Sequence, residues 1–255
     1  MNKLVSFNLK MGLVHLVQGI ALLILALTVP LFRDFRPSIY VVGRFFTQNS
    51  TIPYFSFEEV LFQIPVAILA ASFILLSALF HFLISVPFKK QYVANVEKGI
   101  NPLRWYEYAL SSSIMIVLLS IMFGVTTIEG LLSVFGINAV MNLLGLLMEK
   151  MNPPSRTKTD WTAHWIGWIA GLIPWVIIVI YMLNIGDLSV LPWFVLPGLS
   201  FYFLVFNLFA FNQILQYARI GKWKDYVYGE KSYVWLSLIG KSTLAWLVFI
   251  GIILA

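Results

Sequence analysis

The residue with the clearest potential for chemistry is Lys241, an amine near the middle of the last apolar segment, 233–255. Every other Lys or Arg can be placed in a loop or at the end of a segment. A lone amine at this depth in a membrane costs about 2.5–3.5 kcal/mol on insertion scales. We therefore expect that Lys241 is present for its chemistry.

A count of the acidic residues gives Lys241 one candidate partner. Of the eleven, five fall on each side of the membrane and the remaining one is Glu107. Helical side chains lean towards the N-terminus, and Glu107 and Lys241 lie about 8 Å and about 12 Å along their helices at 1.5 Å per residue. The sequence predicts that they form the single buried ion pair. The alternative is a purely structural pair, although buried pairs stabilise poorly on average.

Further polar residues fall at the same depth, in or next to the cytoplasmic third of the predicted helices. Because they would converge at one level, we interpret them as one functional polar network beside the Lys241 amine. Potential metal ligands come singly from separate helices, without an HxxH or ExxH pair, so no metal site is predicted. The polar residues are His15, Gln18, Ser77, His81, Ser111 and Ser237.

The half of the membrane beyond Lys241 has the opposite character, since no carboxylate falls there. Ion paths normally carry ionisable groups along their length, so transport is disfavoured. Aromatic and soft side chains fall near Lys241 instead. Each could be ordinary core packing, or they could together line a slot for a long, flat, apolar ligand. They are Tyr108, Met115, Asn138, Met141, Trp175, Phe206, Gln213 and Trp246.

The elements that position these residues follow from composition. With 60% hydrophobic and 11% charged residues, the chain is too apolar for a soluble domain, and it has no cysteine. We predict an all-α membrane protein, a multi-pass protein of the cell membrane that forms one seven-helix domain over 1–255. The predicted helices are about 8–32, 62–88, 102–125, 128–149, 162–184, 191–218 and 231–255.

Basic residues set the predicted orientation. Thirteen fall on one side and three on the other, which with Lys241 makes all seventeen. Lys and Arg accumulate in cytoplasmic loops, so we expect a cytoplasmic N-terminus and an extracellular C-terminus. This bias and anionic inner-leaflet lipid account for the net charge of +6, and no nucleic acid binding is predicted. In the long first loop, 39–42 and 44–47 could form a small hairpin around Gly43.

A buried amine beside a carboxylate suits a covalent imine. A desolvated lysine is readily neutral and can attack an aldehyde, and a nearby carboxylate then keeps the imine protonated. At this point the chain resembles a microbial rhodopsin, and its inverted topology makes it similar to the heliorhodopsins. The resemblance is carried by segments 77–82, 104–108 with 111–113, 135–138, 174–175, 221–223 and 236–242.

The resemblance implies a light-sensing protein without enzymatic activity, in which all-trans retinal forms a protonated Schiff base on Lys241 with Glu107 as counterion. Isomerisation to the 13-cis form would drive a slow photocycle and signalling without ion transport. The alternative is a light-driven ion transporter or channel. Pumps often have carboxylates where this chain has Ser237 and Leu118.

The resemblance also assigns residues and partners. It implies a homodimer surrounded by membrane lipid, with an unknown cytoplasmic signalling partner. The chromophore would contact the soft and aromatic residues named above together with Ser111, Ser112, Pro174 and Ser237. The cytoplasmic cavity would be organised by His15, Gln18, Ser77, His81, Tyr92, Arg104, Ser111 and Ser237.

Overall fold

A computed structural model describes residues 1–45, 55–184 and 191–254. Within these residues, seven helices are long and apolar enough to cross a membrane, so the predicted all-helical class and seven spans are confirmed. Two shorter helices, α2 (Pro30–Arg33) and α4 (Lys89–Glu97), lie outside the spans. The spanning helices are α1 (Asn2–Thr28), α3 (Val66–Ser85), α5 (Pro102–Met122), α6 (Ile128–Met151), α7 (Thr162–Leu183), α8 (Val195–Tyr217) and α9 (Tyr226–Leu254).

The helices pack as a bundle in which α3 is central to the site. Along the chain, α1 packs on α3, α3 on α5, α5 on α6 and α6 on α7, while α9 contacts α8, α3 and α1. Because α3 contacts both α5 and α9, a side chain on α3 can lie between Glu107 on α5 and Lys241 on α9.

The half of the bundle remote from the N-terminus is a dry apolar core. Apolar side chains from all seven spanning helices meet there and exclude water from the region beyond Lys241. This agrees with the apolar outer half predicted from the sequence. Its buried members include Leu22, Ala70, Leu118, Val134, Ile178, Tyr202 and Val248.

Helix α5 begins and ends at residues suited to those positions. The Asn101 side chain accepts a hydrogen bond from the Arg104 backbone N–H, and Pro102 takes the first helical position, as predicted. Gly124, with a φ of +91°, follows the helix and turns the chain back. The Thr127 hydroxyl then accepts from the Gly130 N–H at 3.3 Å and starts α6. Helices α5 and α6 are therefore antiparallel neighbours.

Several predicted helix limits are wrong. Helix α1 begins at Asn2 instead of near residue 8, and it stops at Thr28 because Val29, which precedes Pro30, is extended. The second spanning helix begins only at Val66, after Pro65. The last one begins at Tyr226 instead of near residue 231, and it includes Gly229, where a Cβ atom would lie 2.9 Å from the Gln216 side chain.

The first loop contains a hairpin, but not the predicted one. Strand β1 (Ser38–Phe45) pairs antiparallel with β2 (Phe55–Gln63). Gly43 lies within β1 and pairs with Phe57, so a turn at Gly43 is wrong; part of the predicted second strand, 46–47, lies outside the described residues. The Tyr40 N–H donates to the Thr126 carbonyl at 2.9 Å, which attaches the hairpin to the α5–α6 turn.

Helix α4 was not predicted, because it is short and mostly polar. Its buried face packs Tyr92 and Val96 against Leu4 and Ile84 at the end of the bundle that contains the N-terminus. It thereby closes this end of the bundle over the polar residues described next.

Candidate functional site

The predicted ion pair is present and includes a third residue. Lys241 Nζ lies 2.5 Å from Glu107 Oε1 and 2.6 Å from Ser77 Oγ. The Ser77 hydroxyl accepts from the amine and donates to Glu107 Oε1 at 2.6 Å. All three side chains are buried, and Lys241 Nζ also lies 5.1 Å from the centre of the Tyr108 ring. The amine is thus fixed by a carboxylate, a hydroxyl and an aromatic face.

A polar cavity of about 340 Å³ adjoins this pair on the side of the N-terminus. It contains four of the predicted cavity residues, Ser77, His81, Arg104 and Ser237. Ser111 is also buried, one turn beyond Glu107 on α5, but it does not line the cavity. Three further polar residues that were not predicted for this site also line the cavity, namely Asn8, Asn101 and Glu230.

Two histidines lie side by side next to the cavity. The His81 and His15 rings stack nearly parallel with centroids 5.6 Å apart, and His81 Nδ1 lies 2.9 Å from Asn8 Oδ1. This requires close packing of α1 on α3. Gly12 permits it, because a Cβ atom there would lie 2.9 Å from His81 Cβ.

Arg104 is the centre of a second buried charged group. Its guanidinium pairs with Glu149 on α6 and Glu230 on α9, and we call these three residues the Arg104 cluster. The guanidinium carbon also lies 4.0 Å from the centre of the Tyr233 ring. The prediction that the interior holds a single cation and a single anion is therefore wrong.

Four further hydrogen bonds surround the two carboxylates of the Arg104 cluster. Glu149 accepts from the Asn101 backbone N–H and the Tyr226 hydroxyl, both at 2.9 Å. Glu230 accepts from Asn101 Nδ2 at 2.5 Å and from the Tyr92 hydroxyl at 3.4 Å. Tyr92, predicted to organise the cavity, therefore reaches it through Glu230.

Helical periodicity could have identified both missed carboxylates. Glu230 precedes Lys241 by eleven residues, about three turns at 3.6 residues per turn, so both lie on one face of α9. Glu149 follows Asn142 by seven residues on one face of α6. Both carboxylates lie close to a helix end and beside a lysine, Lys150 or Lys231, as loop residues often do.

An apolar slot of about 430 Å³ opens on the other side of Lys241. Gly240 and Leu236 flank Lys241 there, and Phe209 and Asn142 are lining residues that were not predicted. The slot thus contains half of the twelve predicted ligand contacts. The predicted residues that line it are Tyr108, Ser112, Met115, Met141, Phe206 and Ser237.

A second pocket, of about 680 Å³, continues from the slot between α6, α7 and α8 and shares Met141 and Phe206 with it. The Trp175 ring lies edge-on to Phe206, with centroids 5.4 Å apart. Pro174 is buried beside Trp175 within α7 but does not line the slot. Trp175 is therefore at the far end of the space that begins at Lys241.

Asparagine side chains support the wall of the slot. Asn138 Nδ2 donates to Ser112 Oγ at 2.9 Å and to Ser113 Oγ at 3.0 Å. Asn142 Nδ2 also donates to Ser112 Oγ, at 2.9 Å. Asn138 therefore acts on the slot through Ser112 instead of lining it.

Two predicted site residues lie elsewhere, and a third, Gln213, lines only the second pocket. Trp246 is exposed on α9, where its Nε1 donates to Gln18 Oε1 at 3.3 Å, so neither side chain reaches Lys241. The reason for Trp246 is geometric. It follows Lys241 by five residues, so its side chain points about 140° away from that of Lys241 around the helix axis. Gln213 instead contacts His164 at 2.8 Å and the Gly145 carbonyl at 3.2 Å.

The family model described as Heliorhodopsin matches residues 4–253, almost the whole chain. A search of curated proteins gives no match. Heliorhodopsins are retinal-binding, light-sensing membrane proteins of the rhodopsin type and are not a known enzyme family. With seven spanning helices and a buried lysine on the last of them, the chain belongs to the heliorhodopsin family.

Proposed function

We propose that Lys241 binds all-trans retinal covalently as a protonated Schiff base, with Glu107 as its counterion. Light-driven isomerisation to the 13-cis form then starts a slow photocycle that signals without transporting ions. One observation supports this above all. The Lys241 side chain lines an apolar slot while its Nζ atom is 2.5 Å from a buried carboxylate.

The residues present fit retinal. A polyene aldehyde needs an amine at one end of a long apolar space, and the slot provides this from Lys241 to Met141 and Phe206. The continuation towards Trp175 provides room for a bulky apolar end group. Met115 and Phe209 offer soft and aromatic surfaces to the length of such a chain.

The chain's own residues have separate tasks in this proposal. Retinal supplies light absorption and double-bond isomerisation. Lys241 anchors it, and Glu107 holds the positive charge at the nitrogen by a direct ion pair. Ser77 fixes the carboxylate, because its hydroxyl donates to Glu107 Oε1. The apolar core beyond Lys241 keeps water out of the half of the bundle that is remote from the N-terminus.

The direct test is to add all-trans retinal to the purified protein. We expect a visible absorption band, because a protonated Schiff base absorbs at longer wavelength than the free aldehyde. Borohydride should then fix retinal to the peptide that contains Lys241, which mass spectrometry can identify. A colourless product, or retinal fixed to another lysine, would contradict the proposal.

Glu107→Gln should shift the visible band to longer wavelength. The negative charge stabilises the ground state, whose positive charge is localised at the nitrogen, more than the excited state. As the pH is raised, the visible band should also be lost at a lower pH than in the wild type. The reason is that no carboxylate then stabilises the proton on the Schiff base. Glu129→Gln, at an exposed acid at the start of α6, is the matched control and should change neither property. An unshifted Glu107→Gln band would mean that another group is the counterion.

Illumination should produce no sustained ion movement across vesicles that contain the pigment. From Lys241 to the far end of the bundle, the described residues of α3, α5 and α9 include no acidic, basic or histidine side chain. A path for ions normally requires such groups. The measurement is the internal pH and the membrane current, with and without retinal. Sustained, retinal-dependent translocation would instead favour the transporter alternative.

The signal would leave from the end of the bundle that contains the N-terminus. We place this end in the cytoplasm, because most loop Lys and Arg residues belong to it. Lys89, Lys98 and Lys222 are exposed there and available to a partner protein. We further propose that the protein works as a homodimer within the lipid bilayer.

A further inference from the structure

The buried charges of the described residues do not balance. Lys241 is matched by Glu107, but Arg104 lies between two carboxylates, Glu149 and Glu230. With all groups in their usual ionised forms, two cations and three anions give a net charge of −1. A buried charge without a partner of opposite sign is costly in free energy.

Both carboxylates of the Arg104 cluster are surrounded by hydrogen-bond donors. Each accepts from Arg104 and from two further donors. For Glu149 these are the Asn101 backbone N–H and the Tyr226 hydroxyl. For Glu230 they are Asn101 Nδ2 and the Tyr92 hydroxyl. Each of these bonds favours the ionised form of a carboxylate, and Arg104 can balance only one of the two charges. The cluster therefore has the capacity to bind one more proton.

A chain of hydrogen bonds also leads from His81 to Glu230. Asn8 Oδ1 can only accept, so His81 Nδ1 provides the hydrogen in their 2.9 Å contact. Asn8 Nδ2 then donates to the Tyr92 hydroxyl at 3.0 Å, which donates onward to Glu230 Oε1. Burial and the adjacent Glu230 charge raise the pKa of the Tyr92 hydroxyl well above its usual range, so it remains a donor. Glu230 is the final acceptor of this chain.

Glu230 also shares a cavity with the Schiff-base site, whereas Glu149 does not. The cavity of about 340 Å³ is lined by Glu230, Glu107, Ser77 and Ser237. The cavity has room for a water molecule beside these polar side chains, and water can carry a proton between its walls. On α9, Glu230 and Lys241 are eleven residues apart, about 16 Å at 1.5 Å per residue, and on the same face.

We infer that Glu230 is the residue that receives the Schiff-base proton during the photocycle. The N–H bond at Lys241 breaks, the nitrogen keeps the electron pair, and an O–H bond forms on the Glu230 carboxylate. Arg104 is then balanced by Glu149 alone, which relieves the charge excess of the cluster and leaves the unpaired negative charge on Glu107. Return of the proton to the nitrogen restores the resting state. The inference rests on the proposed function, since it requires the Schiff base on Lys241.

Infrared difference spectroscopy of the illuminated pigment tests the inference. In the wild type, a carbonyl band of a protonated carboxylic acid should appear with the same time course as loss of the visible band, and D₂O should shift it. The band should be absent in Glu230→Gln and move in frequency in Glu230→Asp. Glu97→Gln is the matched control, because Glu97 is an exposed acid on α4 at the same end of the bundle.

The outcomes separate this inference from the proposed function. A colourless wild-type protein would refute the Schiff base itself and the inference with it. A coloured protein without any carboxylic acid band, or with a band unchanged in Glu230→Gln, refutes only the role of Glu230. A band that persists in Glu230→Gln but moves in Glu107→Asp would assign the proton to Glu107. If Glu230→Gln does not bind retinal, the wild-type and Glu230→Asp spectra still decide, because an unmoved band in Glu230→Asp contradicts the inference.

Discussion

Replacing Lys241 with alanine should abolish the visible absorption band completely, because no other amine in the described residues lines the slot. The loss should be all-or-none, since the covalent link either forms or does not. The measurement is the absorption spectrum of the purified variant after incubation with all-trans retinal. A normal band in Lys241→Ala would show that the chromophore is attached elsewhere and would refute the proposed site.

Two companion variants make this result interpretable. Lys241→Ala leaves Glu107 as a buried charge without its cation, which alone could prevent folding. The double variant Lys241→Ala/Glu107→Gln removes both charges and should fold while remaining colourless. Lys231→Ala, at an exposed lysine on the same helix, should bind retinal like the wild type. Size-exclusion chromatography and circular dichroism establish that each variant is folded.

Arg104→Met should cause the largest loss of stability of any single change in the polar end of the bundle. It removes the one cation between Glu149 and Glu230 and leaves two buried carboxylates facing each other. Removing one partner of a buried pair typically costs about 3–5 kcal/mol. Thermal unfolding followed by circular dichroism should show a clearly lowered Tm.

The control for this prediction is an arginine in an exposed pair. Arg156 lies 3.4 Å from Asp160, four residues along the chain, and both side chains are partly exposed. Arg156→Met should cost less than about 1 kcal/mol, as surface pairs usually do. Adding Glu149→Gln and Glu230→Gln to Arg104→Met should recover part of the lost stability, because the orphaned charges are removed. An unchanged Tm in Arg104→Met would mean that the cluster does not stabilise the fold.

The central pair was predictable because its members are isolated charges within apolar runs. Lys241 is far from any loop in the sequence and Glu107 lies more than one turn inside α5, so membrane insertion energetics predict that they meet. Ser77 and Ser237 followed from helical spacing, which depends only on local geometry. The slot residues Met115 and Phe206 were predicted in the same way.

The Arg104 cluster could not be predicted by counting charges, because its members lie in the end turns of their helices. Whether an end turn is exposed depends on what folds over it. Here Tyr92 on α4 contacts Glu230 and Tyr226 at the start of α9 contacts Glu149, and the sequence does not reveal either contact. The prediction for Trp246 is wrong for a different reason. Its depth in the membrane suits the slot, but its direction around α9 does not.

Asn101 connects the Arg104 cluster to the start of α5. Its side-chain oxygen caps α5, its backbone N–H holds Glu149 on α6, and its Nδ2 atom holds Glu230 on α9. One residue therefore fastens the start of α5 to two other helices. A proton on Glu230 would weaken one of the three attachments, because a neutral carboxyl accepts hydrogen bonds less strongly than a carboxylate. The first turn of α5 and the adjoining chain to α4 would loosen in response. Absorption of a photon within the membrane would therefore change how these helices are anchored at the membrane surface.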